Sequence, residues 1–234
     1  RRAVLYLNDV AMVAADTTRS KYYLDELIKY ELLPKYVLLL LNSNEQMLPG
    51  QKYNKTKNGI AELLEAHGVQ YDFAPNSDIN SNEVVKIISD RIESVFIFSG
   101  FGGALLRNDI LEIGKKFLHV HGGYLPDYKG STTNYYSLID DNMLGASSIF
   151  LTKEIDCGPI LLRKKFPAPK DRTEIDHIYD SKVRSEVLVK TLKKYANTGC
   201  WGFELEDNKG GEIFYIIHPV LKHLAILGDS TLKR

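Results

Sequence analysis

Apolar residues along this chain fall either in short unbroken runs or in stripes with helical spacing. Val4-Leu-Tyr-Leu7 reads as a first strand. Tyr23, Leu24, Leu27 and Ile28 recur at helical spacing within residues 19 to 33, and Pro34 stops that helix. Tyr36 to Leu41 is continuously apolar, which suits a parallel strand covered on both faces. Residues 42 to 55 are polar and contain Pro and Gly, so they read as a loop. Ile60, Leu63 and Leu64 predict a second helix, and Gly68 ends it as a C-terminal cap. Val69 to Phe73, Ser94 to Phe98 and Phe117 to His121 predict three more strands, with helices over Asn82 to Asp90 and Ile110 to Ile113 between them. Strands and helices that alternate in this way predict an α/β protein with a Rossmann-like, doubly wound, mostly parallel sheet.

The pattern changes after residue 130. Ser131 to Ile139 predicts a helix capped by Ser131 or Thr132. Gly145 to Thr152 and Ile160 to Phe166 predict two strands that pair as a hairpin around Asp156-Cys-Gly-Pro159. A long helix follows from about Thr173, where Thr-Glu-Ile-Asp176 is a capping-box variant. Its apolar stripe runs through Ile175, Ile178, Tyr179, Val183, Val187, Leu188 and Leu192. Beyond Gly199, Phe203 to Glu206 and Glu212 to Ile217 predict a hairpin, and His218-Pro219 opens a short helix. The expected domains are therefore 1–199, a catalytic unit, and 200–234, a small hairpin-helix extension packed on the same core.

Composition narrows the class. In 234 residues, 30 Lys and Arg balance 30 Asp and Glu, so neither a nucleic-acid partner nor an acidic tail is expected. No apolar run approaches the roughly 20 residues of a membrane helix. No signal peptide is seen, and Cys157 and Cys200 read as reduced thiols, so a cytoplasmic location is expected. The apolar tail around Tyr215 to Leu221 suggests a homodimer.

The chemistry concentrates in two segments. Phe117-Leu-His-Val-His-Gly-Gly-Tyr-Leu-Pro-Asp-Tyr-Lys-Gly-Ser131 carries two imidazoles, and Glu154-Ile-Asp-Cys-Gly-Pro-Ile160 carries a carboxylate. Alternation puts His119 and His121 on one side of the fifth strand, at its carboxyl end, where open parallel sheets bind ligands. An imidazole beside a fixed carboxylate can donate to a developing oxyanion and move protons near neutral pH. A lone histidine is most often a satisfied core residue, but Gly122-Gly123 and Tyr124-Leu-Pro126 suggest a loop kept open. No Cys or further His completes a tetrahedral set, so no metal is expected. Cys157 has no base at a defined spacing to make it a nucleophile. Ser99-Gly-Phe-Gly-Gly103 by itself is most simply a flexible turn, too short and too late in the chain for a dinucleotide fingerprint. Asn8-Asp-Val-Ala-Met12 after the first strand also lacks that glycine pattern.

Taken together, the segments resemble the folate-dependent formyltransferases. That family has an Asn-x-His pair before a Ser-Leu-Leu-Pro-x-(Tyr/Phe)-(Arg/Lys)-Gly run. His119-Val-His121-Gly-Gly-Tyr-Leu-Pro126-Asp-Tyr-Lys-Gly130 looks like it, with His119 in place of the Asn. Thr152-Lys-Glu-Ile-Asp156-Cys-Gly158-Pro-Ile160 looks like the second motif, and Ser99-Gly-Phe-Gly-Gly-Ala-Leu105 resembles the folate-binding loop. The resemblance has motif quality over about residues 90 to 165. It implies the formyltransferase fold, N10-formyltetrahydrofolate as formyl donor, and His119, His121 and Asp156 as catalytic residues. It further implies a donor slot of Phe101, Gly102, Gly103, Ala104, Leu105 and Ile110.

The acceptor follows partly by elimination within the family. Glycinamide ribonucleotide formyltransferases carry a Gly-rich phosphate loop after the first strand. Methionyl-tRNA formyltransferases are longer, with a basic tRNA-binding domain, and the folate hydrolases carry an additional N-terminal regulatory domain. The remaining likeness is to bacterial sugar N-formyltransferases of the pseudaminic-acid-pathway type. The implied acceptor is the amine of a nucleotide-linked deoxyamino sugar, with Tyr124, Lys129, Ser131, Thr132 and Thr133 as candidate contacts. For any one of these hydroxyls, helix capping is the plainer role. Alternatives left open are a peptide or aminoacyl amine, a hydrolase, and a non-catalytic folate- or nucleotide-binding homologue.

Overall fold

In the computed structural model, residues 7–42, 59–201 and 207–228 are described. The expected residues Val4 to Tyr6, the loop after residue 42 and the strand Phe203 to Glu206 lie in whole or large part outside them. The chain divides into two compact units, Arg1–His119 and Val120–Arg234.

The first unit holds strands β1 (Leu7–Ala15), β2 (Pro34–Leu40), β3 (Gln70–Phe73) and β4 (Val95–Ser99), and most of β5 (Lys116–His121). Helices α1 (Thr18–Lys29), α2 (Gly59–Ala66), α3 (Asn82–Asp90) and α4 (Asn108–Leu111) connect them. The strand order is β3-β2-β1-β4-β5, and every pair is parallel. The order reverses between β1 and β4, which is the doubly wound pattern. The α/β class with a mostly parallel sheet is thus the one the alternation predicts.

The first strand differs from its expected span. It runs from Leu7 to Ala15, so Asn8 to Met12 lies inside it, not in a loop after it. Val10 to Ala15 are all fully buried. This stretch is the centre of the sheet, where small apolar residues meet neighbours on both faces. The turn that actually follows is Asp16-Thr17, which contains no glycine. Thr17 caps α1 by accepting from the Ser20 amide at 3.2 Å, and the Ser20 hydroxyl lies 2.8 Å from that of Ser99. The end of β4 is thereby tied to the start of α1.

The second unit contains β6 (Tyr128–Gly130), α5 (Thr133–Asp140), β7 (Met143–Phe150), β8 (Ile160–Pro167), α6 (Asp180–Thr198), β9 (Glu212–Phe214) and α7 (Pro219–Leu227). β7 and β8 form the expected antiparallel hairpin, with Ile149 opposite Ile160. Ile149 and Ile160 pack with Leu125 in an apolar cluster beneath the loop that joins them. The long helix begins later than its stripe suggests. Asp171, not Thr173, caps a short 3-10 turn, and a π-turn over Ile175–Tyr179 precedes α6. Gly199 closes α6 in the left-handed region at φ 70°.

β9 pairs in parallel with β6, Tyr128 opposite Glu212, so the segment expected as a hairpin arm is stitched to the motif loop. Ser131 donates its amide to the Phe214 carbonyl at 2.9 Å, and Phe214 stacks on Tyr128. Val220, Leu224 and Leu227 leave an exposed apolar stripe along α7. No helix among the described residues is long and apolar enough to cross a membrane.

Candidate active site

His121 ends β5, and Asp156 lies in the loop between β7 and β8. Both are buried, at 5% and 7% exposure. His121 Nδ1 is 3.4 Å from Asp156 Oδ1, and His121 Nε2 is 2.7 Å from the Tyr128 carbonyl oxygen. A carbonyl only accepts, so Nε2 carries a hydrogen and donates it. Nδ1 is therefore the nitrogen at which a proton arrives or leaves, and it faces the carboxylate.

Burial pushes the imidazole below its ordinary titration range, since a charge there is poorly solvated. The Asp156 carboxylate works against burial, while the Arg184 guanidinium adds to it. Arg184 donates Nη1 to the Val120 carbonyl at 3.1 Å and Nε to Asp180 at 3.0 Å, which fixes the charge behind the end of β5. Asp180 supports the charged imidazole more weakly.

Asp156 takes φ 55°, in the left-handed region that few non-glycine residues adopt. Its Oδ2 accepts the Gly130 amide at 2.8 Å. Two residues on, Gly158 lies so close to the Phe150 carbonyl that any Cβ would overlap it. A Cβ on Gly123 would meet His121 Nε2 at 2.7 Å and the Tyr128 oxygen at 2.8 Å. These two glycines let the backbone close around the pair. Ser147 braces the same loop: it accepts the Leu125 amide at 3.0 Å and donates to the Gly123 carbonyl at 2.8 Å.

The remaining expected residues divide into several environments. His119 is half-buried, two residues before His121 on β5, with its ring 6.4 Å from that of Phe98. His119, His121 and Asp156 are the described residues grouped closely enough to offer a metal three ligands. Both ring nitrogens of His121 already face protein oxygens, an arrangement that suits proton transfer. In the first unit, the loop after β4 exposes Gly102, Gly103, Ala104 and Leu105 and leaves Phe101 half-buried, while Ile110 of α4 is completely buried. Asn80 holds this loop through the Leu105 carbonyl at 2.9 Å and the Arg107 amide at 2.8 Å.

In the second unit, Tyr124 lies under Arg163 and Lys165, whose charged groups are 4.7 and 5.1 Å from its ring centre. Lys129 is buried and donates to the carbonyls of Asn208 and Gly210 at 2.9 and 2.8 Å. Ser131 is exposed. Thr132 occupies the N-cap position of α5 at φ 52°, but its hydroxyl makes no cap and accepts the Ile217 amide at 2.8 Å instead. Buried Thr133 donates to the Gly122 carbonyl.

Sequence reasoning missed Arg184, Ser147 and Asn208. Arg184 had one legible signal, its i,i+4 spacing from Asp180. Asn208 sits in Asp-Asn-Lys-Gly-Gly, a stretch whose composition reads as a surface turn. The Tyr128 carbonyl has no side-chain signal at all.

A formyl transferase family model matches residues 10–191. A methionyl-tRNA formyltransferase of Lactiplantibacillus plantarum is 28% identical over 175 residues, covering 73% of this chain and 53% of that protein. The chain thus spans about half the length of the curated relatives it matches. A sugar N-formyltransferase structure from Shewanella sp superposes with a TM-score of 0.58 at 14% identity, covering 93% of this chain and 86% of that one. HypX from Aquifex aeolicus in complex with tetrahydrofolic acid superposes with a TM-score of 0.54 at 14% identity, over 91% of this chain and 30% of that one. These likenesses are to the fold. The family match covers most of the chain and includes β5, its histidines and the Asp156 loop, and by it this protein belongs to the formyl transferase family.

Proposed function

We propose that the chain transfers a formyl group from N10-formyltetrahydrofolate to the amine of a small acceptor, a nucleotide-linked deoxyamino sugar. The observation that carries this reading is the buried His121–Asp156 pair, with Nε2 committed to the Tyr128 carbonyl and Nδ1 facing the carboxylate. The amine nitrogen bonds to the formyl carbon, the bond from that carbon to N10 breaks, and the amine's proton passes to the departing nitrogen. A proton at Nδ1 of His121, against Asp156, makes the ring an imidazolium whose positive charge stabilises the oxyanion that develops in between. Asp156 favours that protonated state and orients the ring. His119, on the same strand face, serves as a second donor in the place of the family's Asn.

The loop from Ser99 to Leu105 takes the donor's pterin end, using Phe101 and backbone groups. Formyl transfer is supported by the family match, and the sugar acceptor by the fold shared with solved sugar N-formyltransferases. The balanced net charge supports a small acceptor over a nucleic acid. Tyr124 and the exposed Ser131 and Thr132 are the acceptor contacts of this reading, and buried Thr133 acts by holding the Gly122 carbonyl. A second copy docks through the apolar stripe of α7, and sedimentation at working concentration checks this.

Incubation with N10-formyltetrahydrofolate and a panel of amino-sugar nucleotides, following tetrahydrofolate release, tests the reading. Release that requires an amino-sugar nucleotide supports it. Release without an amine indicates a hydrolase, and release only with aminoacyl or peptide amines moves the acceptor class. Donor binding without release by any amine indicates a binding protein.

A further inference from the structure

Asn208 is 7% exposed, and its side chain reaches the turn that carries Asp156. Its Nδ2 donates to the carbonyls of Asp156 and Gly158, both at 2.7 Å. The amide orientation is unambiguous, because the reverse would set Oδ1 against two carbonyl oxygens. The two carbonyls lie on either side of Cys157, in the turn where Asp156 holds φ 55°. An Asp side chain has only two torsions, so the backbone frame largely decides where its carboxylate points.

Strand β6, paired to β9, supplies three further contacts around this turn. Tyr128 O receives His121, the Gly130 amide holds Asp156 Oδ2, and Lys129 fixes the backbone of Asn208 through its carbonyl. One piece of structure thus grips the imidazole, the carboxylate and the turn beneath the carboxylate. We propose that Asn208 is a positioning residue that holds the Asp156 turn so that the carboxylate faces His121 Nδ1. The inference rests on the proposed function for the pair's catalytic role, but its test does not need turnover.

The test follows the His121 ring by NMR titration in four free proteins: wild type, Asn208→Ala, Asp156→Asn and the double variant. Arg184 and Asp180, which also act on the imidazole, are unchanged in all four. Asn208→Ala is expected to move the His121 midpoint by about half a pH unit or more, and to move it far less when Asp156 is already Asn. An equal shift in both backgrounds, or none in a folded Asn208→Ala protein, overturns the proposal. If circular dichroism shows Asn208→Ala unfolded, Asn208→Ser, which keeps one short donor, is read by the same criteria. A wild-type protein that releases no tetrahydrofolate with any amine overturns the proposed function and leaves this result intact.

Discussion

His121 donates Nε2 to the carbonyl of Tyr128 across 2.7 Å, and that bond decides which nitrogen of the ring can titrate. With Nε2 occupied, proton exchange is confined to Nδ1, 3.4 Å from Asp156. The tautomer is thus set by a backbone carbonyl.

Replacing Asp156 by Asn keeps the size and removes the charge that favours a proton on Nδ1. Turnover is expected to fall by about two to four orders of magnitude, as for loss of a general acid–base partner. Steady-state tetrahydrofolate release measures this, with the circular dichroism spectrum unchanged.

The depressed titration of His121 has a consequence for stability. Below the usual imidazole value of about 6.5 the unfolded chain binds a proton that the folded protein refuses. Stability is therefore full above that pH and declines as pH falls from it toward the lower folded value. Urea melts at pH 7.5, 6.5 and 5.5 should show a smaller decline for His121→Asn than for wild type. Parallel declines would contradict the assignment.

Gly123→Ala puts a methyl group 2.7 Å from His121 Nε2 and against the Thr133 hydroxyl. The ring must leave the Tyr128 carbonyl or the loop must shift, an overpacking cost of about 1–3 kcal/mol. Loss of turnover together with a changed His121 ring tautomer in nitrogen NMR is the expected result.

Lys129 spends its donors on two carbonyls of the C-terminal segment. Lys129→Met should destabilise the protein by about 1–3 kcal/mol, the cost of leaving buried acceptors unpaired. Denaturant melts read this. An unchanged melt with a raised KM for the acceptor would instead place the ammonium on the substrate.

His119 stands where the resembling family has Asn. His119→Asn should keep more turnover than His119→Ala, because an amide N–H replaces the imidazole N–H. Full turnover in His119→Ala would remove the residue from the mechanism.

Much of the fold was legible as period and punctuation. Runs such as Tyr36 to Leu41 and stripes such as that of α6 are local signals, and Gly199 closes α6 as its lack of a side chain permits. The extension of the first strand through Asn8 to Ala15 was missed because polar Asn8 and Asp9 interrupt it before the apolar run Val10 to Ala15. His121 and Asp156 could be named from motifs, since the chemistry lies in their side chains.

The contacts that make those two residues a pair come from places where sequence carries no mark. Tyr128 acts through its carbonyl, Gly130 through its amide, and Asn208 from 52 positions beyond Asp156. Residue types and spacings specify which groups are present and which elements form. Backbone donors and acceptors are alike at every position but proline, so their partners are chosen only when packing brings β6, β9 and the Asp156 turn together.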